Sequence, residues 1–174
     1  KGLASSTIRG IHSMLHEALD AAKQAGLIPW NPTEEIPTPK FTCKTKQILT
    51  DEQLDTFMEI IRQDDIWHDF FYTELTTGLR RGEICGLKWT DFNEADGTLK
   101  VRRTIHQEKG GKLTAWDTKT AAGARTIILP PSTVELLRER QKSALTEWIF
   151  PDPLRPEQPT RPSAAYNRMK SLLK

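Results

Sequence analysis

Apolar positions Ile8, Ile11, Leu15, Ala18, Leu19, Ala22 and Ala25 recur at steps of three and four. That period predicts one amphipathic helix over residues 6–25, stopped by Gly26 and barred from continuing by Pro29 and Pro32. A lone helix cannot bury its own stripe. It is therefore expected to be the C-terminal part of a small helical domain, residues 1–36, whose beginning lies outside the chain. Pro37, Pro39, Lys40, Lys44 and Lys46 mark residues 37–48 as a basic linker. Thr50 with Gln53 forms a capping-box signal for a second helix that carries Leu54, Phe57, Met58 and Ile61. A third helix is expected over residues 66–76, with Trp67, Phe70, Phe71 and Leu75 toward a core.

After Trp89 the period falls to two. Residues 98–104, 113–116 and 125–129 read as strands, and Lys109-Gly110-Gly111-Lys112 as a turn. Pro130-Pro131 ends this region. Ser132 with Glu135 is expected to cap a helix carrying Val134, Leu136 and Leu137. Ile149-Phe150-Pro151 opens a Pro-rich loop, and a last helix starts near Ser163 with Tyr166, Met169, Leu172 and Leu173. The expected fold is α+β: mainly helical, with a small three-stranded antiparallel sheet, in a second domain over residues 49–174.

Composition changes this picture little. The 174 residues are 37% hydrophobic and 28% charged, and no apolar run approaches the ~20 residues of a membrane span. Residues 1–10 lack the apolar centre of a signal peptide. Cys43 and Cys85 have no metal-ligand spacing, which fits a reduced, cytoplasmic pair. Charge says more. The net value of +2 hides eight acids against Arg62 over residues 51–74, and seven basic residues against Glu108 and Asp117 over residues 100–125. Opposite blocks on separate elements suggest one face toward a polyanion and another toward water.

Two segments carry candidate chemistry. Residues 76–89, TTGLRRGEICGLKW, run from a Thr-Gly turn into a short helix opened by Arg80 and Arg81. A cation opposes the dipole at a helix start, so local helix stability does not explain it. An anion held by the planar guanidinium does, and phosphate is the leading choice. Residues 117–129, DTKTAAGARTIIL, set Lys119 before a small-residue turn and Arg125 after it. Alone, that lysine reads as well as a surface residue.

Together the segments resemble the tyrosine recombinases, in particular the phage and transposon integrase family. Thr77-Gly78-Leu79-Arg80 with Glu83 and Leu87 is similar to the family's first arginine motif. Thr118-Lys119-Thr120 with Arg125, Ile127 and Leu129 is similar to its β-hairpin lysine motif, and Gly26-Leu27-Ile28 with Asn31-Pro32 to the end of its core-binding domain. The family's His-x-x-Arg motif and nucleophilic tyrosine find no match. Tyr72 reads as core or interface, and Tyr166, like His12, His16, His68 and His106, precedes the point where those motifs belong. The chain is therefore expected to be a truncated catalytic domain with the end of a core-binding domain, inactive alone.

The resemblance implies site-specific recombination through a phosphotyrosyl link, with no metal and no cofactor. Arg80 would hold the non-bridging oxygens, Lys119 would protonate the leaving 5′-oxygen, and Glu83 would orient arginines. Double-stranded DNA is the implied partner, contacted by Lys100, Arg102, Arg103, Lys109, Lys112 and Arg125, with a homo-oligomer forming on DNA in the intact protein. The alternative is a DNA-binding protein without strand-cleaving activity. A metal nuclease is disfavoured by the lack of a clustered His/Asp set.

Overall fold

In the computed structural model, which describes residues 2–38, 40, 48–117 and 124–173, the chain divides into two units, Lys1–Ile48 and Leu49–Lys174. In the first, helix α1 (Ser5–Gln24) buries none of its residues. Gly26, at φ 71°, ends it in the left-handed conformation, with Leu27 N–H donating to the Ala22 carbonyl at 2.9 Å. Asn31 is wholly buried. Its amide donates to the His16 carbonyl at 3.1 Å and to Asp20 Oδ1 at 2.8 Å, and its oxygen accepts from Thr33 N at 3.0 Å. One side chain thus folds the following loop onto the helix. Most of the expected linker, residues 39 and 41–47, lies outside the described residues.

The second unit begins at the expected capping box. Thr50 Oγ1 accepts from Gln53 N at 3.3 Å, and Gln53 Oε1 accepts from Thr50 N at 3.0 Å, an arrangement worth ~1 kcal/mol. It opens α2 (Asp51–Arg62), which buries Phe57 and Ile61. Helix α3 (His68–Thr77) starts later than its apolar pattern suggested, leaving Ile66 exposed. The buried Asp64 explains this: its carbonyl takes the His68 N–H at 2.8 Å, and its carboxylate takes the Trp67 N–H at 3.2 Å. Phe70 meets Phe71 and Phe150 edge-on at 5.4 and 5.3 Å. Gly78, at φ 62°, turns the chain out of α3 and into α4 (Arg81–Cys85).

The strands divide differently from expectation. β1 (Phe92–Asn93), β2 (Thr98–Val101) and β5 (Arg125–Ile128) form a three-stranded antiparallel sheet in the order β1-β2-β5. β3 (Arg103–Gln107) and β4 (Leu113–Asp117) form a separate hairpin around the expected Gly110-Gly111 turn. The single strand expected over residues 98–104 therefore breaks at Arg102, where the chain leaves one partner, β5, for another, β4. The alternation nevertheless continues through the break, with Leu99, Val101 and Ile105 all buried.

Helix α5 (Pro131–Lys142) has Pro131 in its first turn and no side-chain cap. The Ser132/Glu135 box therefore does not form, because the helix has already begun at the proline. The expected Pro-rich loop contains a further hairpin, β6 (Pro151–Asp152) with β7 (Arg155–Pro159). Helix α6 (Pro162–Leu172) buries Ala165, and Leu173 at its end stays exposed beside a groove with Phe57 and Ile60. Carboxylates of the acidic block tie these elements together. Arg168 Nε donates to Asp64 at 2.7 Å, and an Arg140 terminal nitrogen donates to Asp69 at 2.9 Å. That block is thus partly internal rather than wholly solvated. No helix among the described residues is long and apolar enough to cross a membrane.

Helix α4 approaches β3 closely because Gly82 and Gly86, four residues apart, carry no Cβ. A Cβ at Gly82 would overlap Thr104 Oγ1 and lie 3.0 Å from the Ile105 carbonyl oxygen; one at Gly86 would lie 3.0 Å from Arg103 Cγ. Gly82→Ala is expected to cost ~1–3 kcal/mol by overpacking. Gly10→Ala, in open space on α1, should gain ~0.5–1 kcal/mol. Urea unfolding of the two variants checks both signs.

Candidate active site

Leu79 is buried and Gly78 is left-handed, so the chain enters α4 with Arg80 pointing outward. The Arg80 side chain is 80% exposed, whereas that of Glu83 is 6% exposed. Glu83 Oε2 accepts the Arg80 backbone N–H at 3.0 Å and Oε1 accepts one Arg80 guanidinium N–H at 3.0 Å. Both oxygens also accept from Arg125, at 3.0 and 2.8 Å. The carboxylate therefore sits under two guanidinium groups, one local and one brought by β5. Hydrogen bonding from Arg125 holds the Glu83 carboxyl down at about 2, against an opposing push from burial. The same bond pushes the Arg125 guanidinium pKa up.

Arg80 opens onto a groove of about 680 Å³ lined also by Arg81, Thr104, His106, Lys109 and Ser163. Arg81 stacks over the Tyr166 ring at 5.4 Å. Its charge also opposes the rise that burial gives the Glu74 carboxyl. His106 packs against Trp116 with ring centroids 4.3 Å apart and planes tilted by 31°. Tyr72 is half-buried beside His68. Burial pushes the Cys85 thiol up and leaves it inert. Among the described residues no group of three His, Cys, Asp or Glu could hold a metal ion.

The expected site residues that the structure describes fall into three sets. Arg80, Glu83 and Arg125 converge. Lys100, Arg102, Lys109 and Lys112 lie exposed on the two β-units. Arg103 turns inward: its side chain is 15% exposed, and it donates to the Gly86 carbonyl at 2.9 Å and to both oxygens of the buried Asp91. The expected outward contact is replaced by an internal one, because Arg103 shares the inward phase of Leu99, Val101 and Ile105. That parity was readable in the alternation. Asp91, which also caps the Lys88 N–H at 2.9 Å, carried no comparable signal. Lys119 and its turn lie outside the described residues.

The model of the phage integrase family matches residues 47–174. The chain belongs to the phage integrase family. It is 30% identical over 163 residues to a XerC-like tyrosine recombinase of Caldanaerobacter subterraneus subsp. tengcongensis, covering 86% of this chain and 41% of that protein. It is 26% identical over 147 residues to the ICEBs1 integrase of Bacillus subtilis, covering 84% and 39%. The chain thus spans about two-fifths of the length of these relatives. Among solved structures, the Tn1549 transposon integrase in complex with transposon right end DNA matches with a TM-score of 0.83 at 22% identity, over 98% of this chain and 58% of that one. A lambda integrase tetramer bound to a Holliday junction matches with a TM-score of 0.64 at 23% identity, over 93% and 45%. These structures share the mixed α+β fold of this family member.

Glu83 gives a pH prediction. Its folded pKa, about 2, lies below the ordinary 4.5, so its contribution of roughly 3 kcal/mol is complete above pH 4.5 and is lost as pH falls through 2. Glu83→Gln should therefore be less stable than the parent at neutral pH, with the gap closing between pH 4.5 and 2. Urea unfolding at stepped pH measures it, and a constant gap would count against the ion-paired carboxylate.

Proposed function

We propose that this chain is the central part of a tyrosine-type site-specific recombinase, which integrates or excises a mobile element through a phosphotyrosyl intermediate. The observation that carries the reading is the outward Arg80 guanidinium seated on a buried, ionised Glu83. Such a group stabilises the charge that grows on a phosphodiester's non-bridging oxygens, and fixed charges of this kind are commonly the largest catalytic contribution. Lys119, by its motif, protonates the leaving 5′-oxygen, a step worth ~10²–10⁴-fold. The two segments, residues 1–36 and 49–174, are read as the end of a core-binding domain and part of a catalytic domain.

Duplex DNA is the partner in this reading. Lys109, on the Arg80 groove, and the exposed Lys100, Arg102 and Lys112 supply sequence-independent contacts, and copies of the intact recombinase assemble on the DNA. Neither Tyr72 nor Tyr166 matches the family's nucleophile motif. The 174-residue chain is therefore expected to bind duplex DNA without cleaving it, and the intact recombinase to form a covalent adduct on a nicked attachment site. Arg80→Ala in the intact recombinase should abolish the adduct while weakening binding far less. Intact binding without an adduct in the parent would favour a DNA-binding protein that does not cleave.

Binding by the 174-residue chain should be steeply salt-dependent. Neutralising about five phosphates gives a slope of roughly −4.5 in log K against log [salt], or a loss on the order of 10²–10³ from 50 to 200 mM. A salt titration followed by fluorescence anisotropy reads this directly, and a slope near zero removes the proposed interface.

A further inference from the structure

Arg125 was expected among the DNA contacts, but its partners give it another task. We infer that Arg125 is a positioning residue that saturates the Glu83 carboxylate, so that Arg80 keeps its charge and most of its donors for a phosphate. The inference rests on reading Arg80 as the phosphate-holding group.

The geometry makes the case. Arg125 occupies Glu83 fork to fork, at 3.0 and 2.8 Å, and its side chain is 35% exposed. Arg80 belongs to the same turn as Glu83, yet its guanidinium reaches the carboxylate through one N–H only, at 3.0 Å. The remaining Glu83 acceptance on this side goes to the Arg80 backbone. Two guanidinium groups on one carboxylate leave the cluster of Arg80, Glu83 and Arg125 with a net charge of +1. Without Arg125 the sum is zero. Glu83 would then be the full counter-ion of Arg80, and nothing would oppose a bidentate pair between them. A guanidinium held in that way has lost two of its five donors and turned from the groove. Arg125 is thus the cation that keeps its neighbour's charge available.

A phosphate ligand and a positioning residue respond differently to removal of Glu83. Arginine Nε–Hε signals of the ¹⁵N-labelled 174-residue chain are followed during titration with inorganic phosphate. In the wild type the Arg80 signal should move and the Arg125 signal should not. Arg125→Gln should weaken the Arg80 response roughly ten-fold, the loss of about one charge-assisted interaction. The double variant Arg125→Gln/Glu83→Gln should regain most of it, because the competing carboxylate charge is gone. Arg125→Lys, which keeps the charge, should fall between wild type and Arg125→Gln, and it carries the comparison if the glutamine variant does not fold.

A double variant as weak as Arg125→Gln, or an Arg125 signal that moves together with that of Arg80, would make Arg125 itself a ligand and overturn the inference. An Arg80 signal that ignores phosphate would overturn it too. Duplex binding is measured separately. Its absence beside an intact phosphate response strikes the recombinase reading alone. A silent Arg80 strikes both this inference and the phosphate-holding role it rests on, and a double variant that fails to recover beside a responsive wild-type Arg80 strikes this inference alone.

Discussion

One buried carboxylate organises this molecule. Glu83 stands at the third position of a five-residue helix too short to persist by itself, and it accepts from a backbone amide, from Arg80 and from Arg125. Taking such a charge out of water is costly, and removing a partner from a buried pair typically costs ~3–5 kcal/mol. The arrangement persists because three pieces of chain supply its donors and acceptors together: the turn after α3, the helix itself and the first residue of β5. The same contact that orients a guanidinium at the groove also fastens the central sheet to the helical layer.

Beside that contact α4 lies low on β3, and the glycines at 82 and 86 permit it. The following buried carboxylate, Asp91, works in the same way one step further along. It caps the turn at Lys88 and binds Arg103, which fixes the chain where it passes from the three-stranded sheet into the hairpin. Two acidic residues of similar burial thus serve two junctions, one facing the groove and one facing inward.

Much of this was legible in the sequence where local chemistry decides. The stripe from Ile8 to Ala25, the Thr50/Gln53 box, the Gly110-Gly111 turn and the pairing of Arg80 with Glu83 each follow from residues within a turn or two of one another. What escaped depends on distance or on competition. The bidentate bond from Arg125 spans 42 positions, and nothing near Arg125 announces it. The inward aim of Arg103 was present in the alternation but outweighed by the surrounding basic residues. Hairpin β6–β7 was hidden by its prolines, and Ser132 lost its capping role to a proline that had already begun the helix. At the site, the arginine motif gave the guanidinium and its carboxylate; the second guanidinium needed the fold.

Those prolines have a consequence of their own. Pro156 and Pro159 lie in β7, one of two strands in an isolated sheet, so two of its five residues offer no amide hydrogen to a neighbour. A strand from another molecule that aligned beside it would find an interrupted ladder. The hairpin thereby resists runaway edge-to-edge stacking, a safeguard of value in a protein whose proposed work gathers several copies at one place.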